Sequence, residues 1–146
     1  MSDPFRQEYR AEWRDMDFNQ HMGNAVFLEY ASNTRFLFFE SAGFTAADFA
    51  ARRLGPVILE DRLVYRREIR MLERFTVDFQ LVSGTADGRR FKVRNRFVTE
   101  AQGLCATVDS VGVWFDLAAR APIVPPDDLH RAFSQLERSE DFEEWD

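Results

Sequence analysis

The chain has 146 residues, a formal charge of −6, 45% hydrophobic and 14% aromatic residues, and one cysteine. Those values predict one domain with a ring-rich core and exclude a general nucleic-acid binder, whose footprint is strongly basic. A lone cysteine excludes an intrachain disulfide or a cysteine-based metal cluster; with no apolar leader and no run near the ~18 apolar residues of a membrane span, a soluble cytoplasmic protein is expected.

From Phe5 to Trp13 apolar and charged residues alternate, the period-2 pattern of a half-buried strand. A polar cluster follows, and from Asn24 to about Ala42 the chain has no Gly or Pro. That stretch is apolar around most of a helical circumference, with Glu29, Asn33 and Glu40 as a narrow polar stripe, so a long buried helix is predicted with Asn24 as N-cap. Gly43 closes it, and Thr45 with Asp48 forms a capping signal for a shorter helix running to Gly55-Pro56. The period then changes to two over Val57–Ile69, Phe75–Leu81 and Phe91–Phe97, and residues 104–117 are apolar on both sides, as an inner strand would be. Asp87-Gly88 is a tight-hairpin signal. After the proline-rich segment Ala121–Pro126 a terminal helix is predicted over about 127–138, with a frayed acidic tail over 139–146.

Strand, long helix, short helix and four strands make an α+β domain. One sheet with a wet outer face buries an 18-residue helix only by curling round it, so a curved antiparallel sheet wrapped about a central helix is expected. Its edges and leftover apolar face need cover, which predicts a homodimer or a dimer of dimers.

Chemistry concentrates at the start of the helix. Asp15, Asp17, Asn19 and His21 fall at alternate positions, so an extended backbone would put them on one side, just before Gly23 and Asn24 open the helix. The amide end of a helix has unpaired N–H groups and partial positive charge, which favours carboxylates and developing oxyanions. Plainer roles stand beside these: Asp17 as a turn or helix cap, Asn19 as a turn former and His21 as a structural histidine. A calcium loop fits poorly, since its expected glycine is Gln20 and its closing glutamate falls on Val26; the only other histidine, His130, is remote in sequence, so no metal is expected. Arg66, Arg67 and Arg89 belong to an arginine-rich middle segment that suits phosphate, or simply a solvated strand face.

The run Asp15-Met16-Asp17-Phe18-Asn19-Gln20-His21-Met22-Gly23-Asn24, continuing through Phe27 and Tyr30 to Arg35, resembles the signature of hotdog-fold acyl thioesterases of the 4-hydroxybenzoyl-CoA thioesterase and acyl-CoA thioester hydrolase type. Asp17-x-Asn19-x-His21 is also similar to the Asp-Asn-His element of acyl-ACP thioesterases, and Leu63–Ile69 with Glu73–Val77 resembles the strand pair those families carry after the helix. The family pattern usually has Asn at Gly23, Tyr at Phe27 and Glu near Asn33. The resemblance implies a hotdog fold and cofactor-free hydrolysis of an acyl-CoA or acyl-ACP thioester. It implies Asp17 as nucleophile or general base, Asn19 and His21 as orienting groups, and the Gly23 and Asn24 amides as oxyanion hole. It also implies an acyl chain entering between subunits and a CoA arm over basic surface, with Arg66, Arg67 and Arg89 as phosphate partners. A non-catalytic acyl-CoA binding module and a hotdog enoyl-thioester hydratase are the alternatives.

Overall fold

The computed structural model describes residues 4–146. Its spine is helix α1 (Asn24–Ser41), about 27 Å long at 1.5 Å per residue. Phe27, Ala31, Thr34, Arg35, Phe38 and Phe39 recur at helical spacing and are buried along one face of it. That face lies against a curled sheet of β1 (Phe5–Arg10), β2 (Leu54–Tyr65), β3 (Arg74–Thr85), β4 (Arg90–Thr99) and β5 (Gly103–Asp116). The strands are ordered β1-β3-β4-β5-β2 and every neighbouring pair is antiparallel. This is the hotdog arrangement expected from the sequence. The β3–β4 turn falls at Asp87-Gly88, where Gly88 takes φ +79°, a conformation that strongly favours glycine.

The opposite flank of α1 stays open: Ala25, Glu29, Asn33, Phe36 and Glu40 are exposed. The near-continuous apolarity that predicted an engulfed helix therefore leaves apolar surface uncovered in a single chain.

Two aromatic clusters fill the space between α1 and the sheet. Phe27, Phe75 and Phe97 belong to the one near the helix start; Phe39, Phe49, Phe79, Phe91, Phe133 and Trp114 belong to the one near its end. Trp114 is fully buried, with ring centroids of Phe39, Phe91 and Phe133 at 5.6, 5.7 and 5.7 Å. Trp114→Ala is expected to cost about 3–5 kcal/mol and lower Tm by roughly 10–15 °C, measured by thermal denaturation. Its Nε1 has no acceptor among the described residues. Trp114→Phe should therefore cost much less, because it removes a buried unpaired donor while keeping a ring.

Several predicted boundaries move. The first strand stops at Arg10; a 3-10 turn over Trp13–Asp15 follows, and Trp13 is 81% exposed rather than on the inner face. Thr45 and Asp48 do form a capping box, but α2 (Ala46–Arg52) ends before Gly55-Pro56, which lie within β2. Pro56 is tolerated there because β2 is an edge strand, where a missing N–H leaves no ladder bond unmade. β2 ends at Tyr65, so Ile69 is a buried loop residue, not a strand residue.

The predicted 127–138 helix is shorter: α3 is Asp127–Phe133, following a two-residue strand β6 (Ala121–Pro122). The tail expected to fray is instead strand β7 (Glu137–Trp145), running parallel to β3 beyond the point where β1 leaves it. Ion pairing and ring contacts hold it. Arg94 donates to both Asp141 carboxylate oxygens, the Arg90 guanidinium lies 5.0 Å from the Trp145 ring centroid, and Gln80 donates to Glu137. The acidic residues that read as a solvated tail answer arginines of β4. No helix among the described residues is long and apolar enough to cross a membrane.

Candidate active site

The chain does not run extended through the polar cluster. Met16 and Met22 form an isolated bridge, and residues 17–21 between them make a tight loop closed by Asp17 N–H to His21 O (2.9 Å) and Gln20 N–H to Asp17 O (3.0 Å). Gln20 takes φ +67° to close it. The loop gathers Asp17 and His21 but turns Asp15 away. Asp15 is buried and accepts from Tyr30 Oη (2.6 Å) and the Glu12 amide (2.8 Å), so it braces the loop against α1. Burial and the Asp15 carboxylate raise the Tyr30 phenol well above its ordinary range, keeping it a donor.

Asp17 and His21 stand at the mouth of a cleft of about 450 Å³, together with Asn19, Asn24, Phe27, Tyr65, Arg66, Arg67 and Glu68. The His21 Nδ1 is 3.7 Å from Asp17 Oδ2 and 3.3 Å from Met22 O; its Nε2 is 3.9 Å from Glu68 Oε2. Asp17 Oδ1 accepts the Asn19 amide at 2.8 Å. This is an Asx turn, the modest role open to Asp17 and Asn19 from the sequence. It leaves Oδ2 facing the imidazole, with about a third of the aspartate side chain accessible.

The helix start differs from expectation by one residue. Gly23 is the N-cap and Asn24 the first helical residue. The Gly23 N–H donates to Asp15 O at 3.0 Å, so it is already committed. The Asn24 N–H, in the first turn, has no carbonyl four residues back to bond. Its own carbonyl accepts the Tyr65 hydroxyl at 3.0 Å, which ties the end of β2 to the helix start.

Of the arginines singled out, Arg66 and Arg67 line the cleft, both amides anchored on Cys105 O (2.7 and 3.0 Å). Arg89 does not join them. It precedes β4, whose Arg90 pairs with Val113, whereas Tyr65 at the cleft pairs with Ala106; seven residues along β5 amount to ~23 Å. Sequence reasoning missed Tyr65 and Glu68 as cleft residues. Both stand in the stretch resembling the family's strand pair, but only the end of β2 at Tyr65 shows that Glu68 turns back toward His21.

The sequence profile described as the thioesterase-like superfamily matches residues 11–133. Among solved structures, the hypothetical protein SAV2348 from Staphylococcus aureus, in complex with CoA, superposes with TM-score 0.84 at 18% identity, over 92% of this chain and 84% of that one. Hypothetical protein TT1821 from Thermus thermophilus gives 0.79 at 23% identity, over 94% and 100%. Slr0204, a 1,4-dihydroxy-2-naphthoyl-CoA thioesterase from Synechocystis, gives 0.80 at 15% identity, over 90% and 96%. At these identities the structural likeness speaks for the fold, and the profile for ancestry: the chain belongs to the thioesterase-like superfamily.

Proposed function

We propose that the protein hydrolyses an acyl thioester of CoA or of acyl carrier protein to the free acid and thiol. One observation carries the reading: Asp17 and Asn24, the residue that opens α1, line the same cleft. A thioester carbonyl held between them meets a base or nucleophile on one side and a donor for its developing oxyanion on the other. Asp17 either deprotonates the water that attacks the carbonyl carbon, or attacks that carbon itself, expelling the thiolate to leave an acyl-aspartate anhydride that water then hydrolyses. The Asn24 N–H takes the oxyanion charge, and His21, between Asp17 and Glu68, orients the attacking group and protonates the departing sulfur. Asn19 fixes the Asp17 rotamer through its amide. This chemistry needs no cofactor. The superfamily match and the CoA complex of the staphylococcal relative support CoA as the thiol. The reading places the protein in a reducing cytoplasm, in keeping with a single buried cysteine.

The test is thiol release from a panel of acyl-CoA and acyl-ACP esters of differing chain length. Hydration of an enoyl ester without thiol release would make the protein a hydratase; tight binding without turnover would make it a binding module. Either would overturn the proposal.

Arg66 and Arg67 flank the cleft where the CoA arm would leave it. Exposed ion pairs are each worth up to about 1 kcal/mol. Arg66→Ala with Arg67→Ala is therefore expected to raise KM for acyl-CoA several-fold at low salt, with kcat nearly unchanged and the effect fading as salt is added. Arg89→Ala should leave both constants alone, a contrast read directly from initial rates.

A further inference from the structure

Ser32, Arg35, Phe36 and Phe39 follow one another at helical spacing on α1, and between them and the sheet a cavity of about 80 Å³ remains. Its buried wall is Phe39, Phe79, Phe91 and Phe133. Its mouth lies at Phe36 and Ile58, which are 47% and 37% exposed. Of the side chains lining it, Ser32 and Arg35 alone are polar, and none is shared with the Asp17 cleft.

Arg35 is only 6% exposed. Burial pulls its pKa down to about 10, which leaves it a cation at neutral pH. Its Nε donates to Asn95 Oδ1 (2.8 Å) and its Nη2 to Ser110 Oγ (2.7 Å), while Nη1, with both its N–H groups, has no acceptor among the described residues. The link to a carboxylate is indirect, through the Ser110 hydroxyl that donates to Asp61 Oδ1. Fully sealed polar side-chain atoms without a partner are Trp114 Nε1 and Ser139 Oγ among the described residues. Nη1 is not one of them, so it opens on accessible space, and the space that Arg35 lines is the cavity. The Ser32 hydroxyl, three residues back on the same helix face, is likewise without a partner among the described residues. A desolvated guanidinium is costly unless an anion compensates it.

We propose that this cavity binds a short aliphatic carboxylate, with the carboxylate on Arg35 Nη1 and the Ser32 hydroxyl and the alkyl chain against the phenylalanine wall. Size sets the class. A cavity of ~150 Å³ takes a benzene ring, so this one is too small for an aromatic acid. At the ~30 Å³ that a water occupies in the liquid, it has room for roughly three methylene-sized groups. Butyrate meets both demands: a charge for the guanidinium and a chain that fills the dry end. The ionic contact forms where water is largely excluded, so it is worth more than the same contact on the surface. The binding is independent of the thioesterase reading, since neither Asp17 nor turnover takes part in it.

The test is calorimetric titration of the whole chain with sodium butyrate at neutral pH, against sodium chloride at equal ionic strength. Saturable binding is expected, with a melting temperature that climbs as butyrate is added. Butyramide, which has the same shape and no charge, should bind at least about tenfold more weakly, and phenylacetate more weakly than butyrate. Ser32→Ala should weaken butyrate several-fold, as expected for one lost hydrogen bond. Arg35→Met and Ser32→Phe should each abolish binding, the first by removing the charge and the second by filling the cavity. Should Arg35→Met fail to fold, Ser32→Phe decides, because it leaves the Arg35 bonds to Asn95 and Ser110 in place. Arg66→Ala with Arg67→Ala should bind butyrate as wild type does, since those arginines line the other cleft. No heat above the chloride control, equal affinity for butyramide, or undiminished binding in Ser32→Phe would overturn the site.

Discussion

Asp17→Asn is expected to slow thioester hydrolysis at least about 100-fold, the loss typical of a missing catalytic base or nucleophile, while leaving thermal stability almost unchanged. The substitution is nearly isosteric. Its side-chain carbonyl can still accept the Asn19 amide that Asp17 Oδ1 now accepts at 2.8 Å, so the 17–21 loop keeps its turn. About a third of the side chain is accessible, so no deeply buried charge is lost. What disappears is the anionic oxygen facing His21 at 3.7 Å, and with it any means of deprotonating water or attacking the carbonyl. Steady-state thiol release and a thermal melt together check it. Full activity in the variant would move the chemistry elsewhere in the cleft, and Glu68, on the other side of His21, is the group to replace next.

The elements that organise the fold were legible because each has a local cause. The absence of Gly and Pro between Asn24 and Ala42, the change from helical to alternating periodicity after Pro56, and Asp87-Gly88 all act within a few residues. A sheet curling round the helix then follows from burial alone. The tail was not legible: nine residues of mostly acidic sequence become a strand through backbone pairing with β3 and through arginines of β4, contacts that exist only once the sheet is built. Trp13 was misjudged for a related reason. Alternation continues to it in sequence, but the chain has already turned into a 3-10 segment whose Asp15 is held by Tyr30 of α1.

The candidate site was legible in type more than in geometry. Placing a carboxylate, an amide and an imidazole before a helix N-terminus identified the cluster, and Asp17, Asn19 and His21 do line one cleft. The supposed extended backbone would have put Asp15 with them. The Met16–Met22 bridge and the left-handed Gln20 give a loop instead, and so assign the two aspartates to different faces. Glu68 and Tyr65 reach the cleft from more than forty residues away, across a strand end that periodicity put four residues too late. No local pattern in the chain encodes that meeting.

The sharpest test of the helix start removes one backbone N–H. Asn24 is the first residue of α1, the position where proline is best tolerated, because its fixed φ suits the helix and its missing N–H has no intrahelical acceptor. The preceding residue, Gly23, has φ −67° and ψ 150°, the extended conformation that a following proline demands. Asn24→Pro should therefore fold, with Tyr65 still donating to the carbonyl of residue 24. It deletes only the amide proposed to hold the oxyanion, together with the asparagine side chain. Loss of one such donor typically costs about 100- to 1000-fold in kcat, with KM little changed since the charge develops only in the transition state. Asn24→Ala, which keeps the amide and loses the same side chain, should stay within about tenfold of wild type on that scale. Equal rates in the proline and alanine variants would show that the oxyanion is held elsewhere, because the two differ at the one group on which the assignment rests.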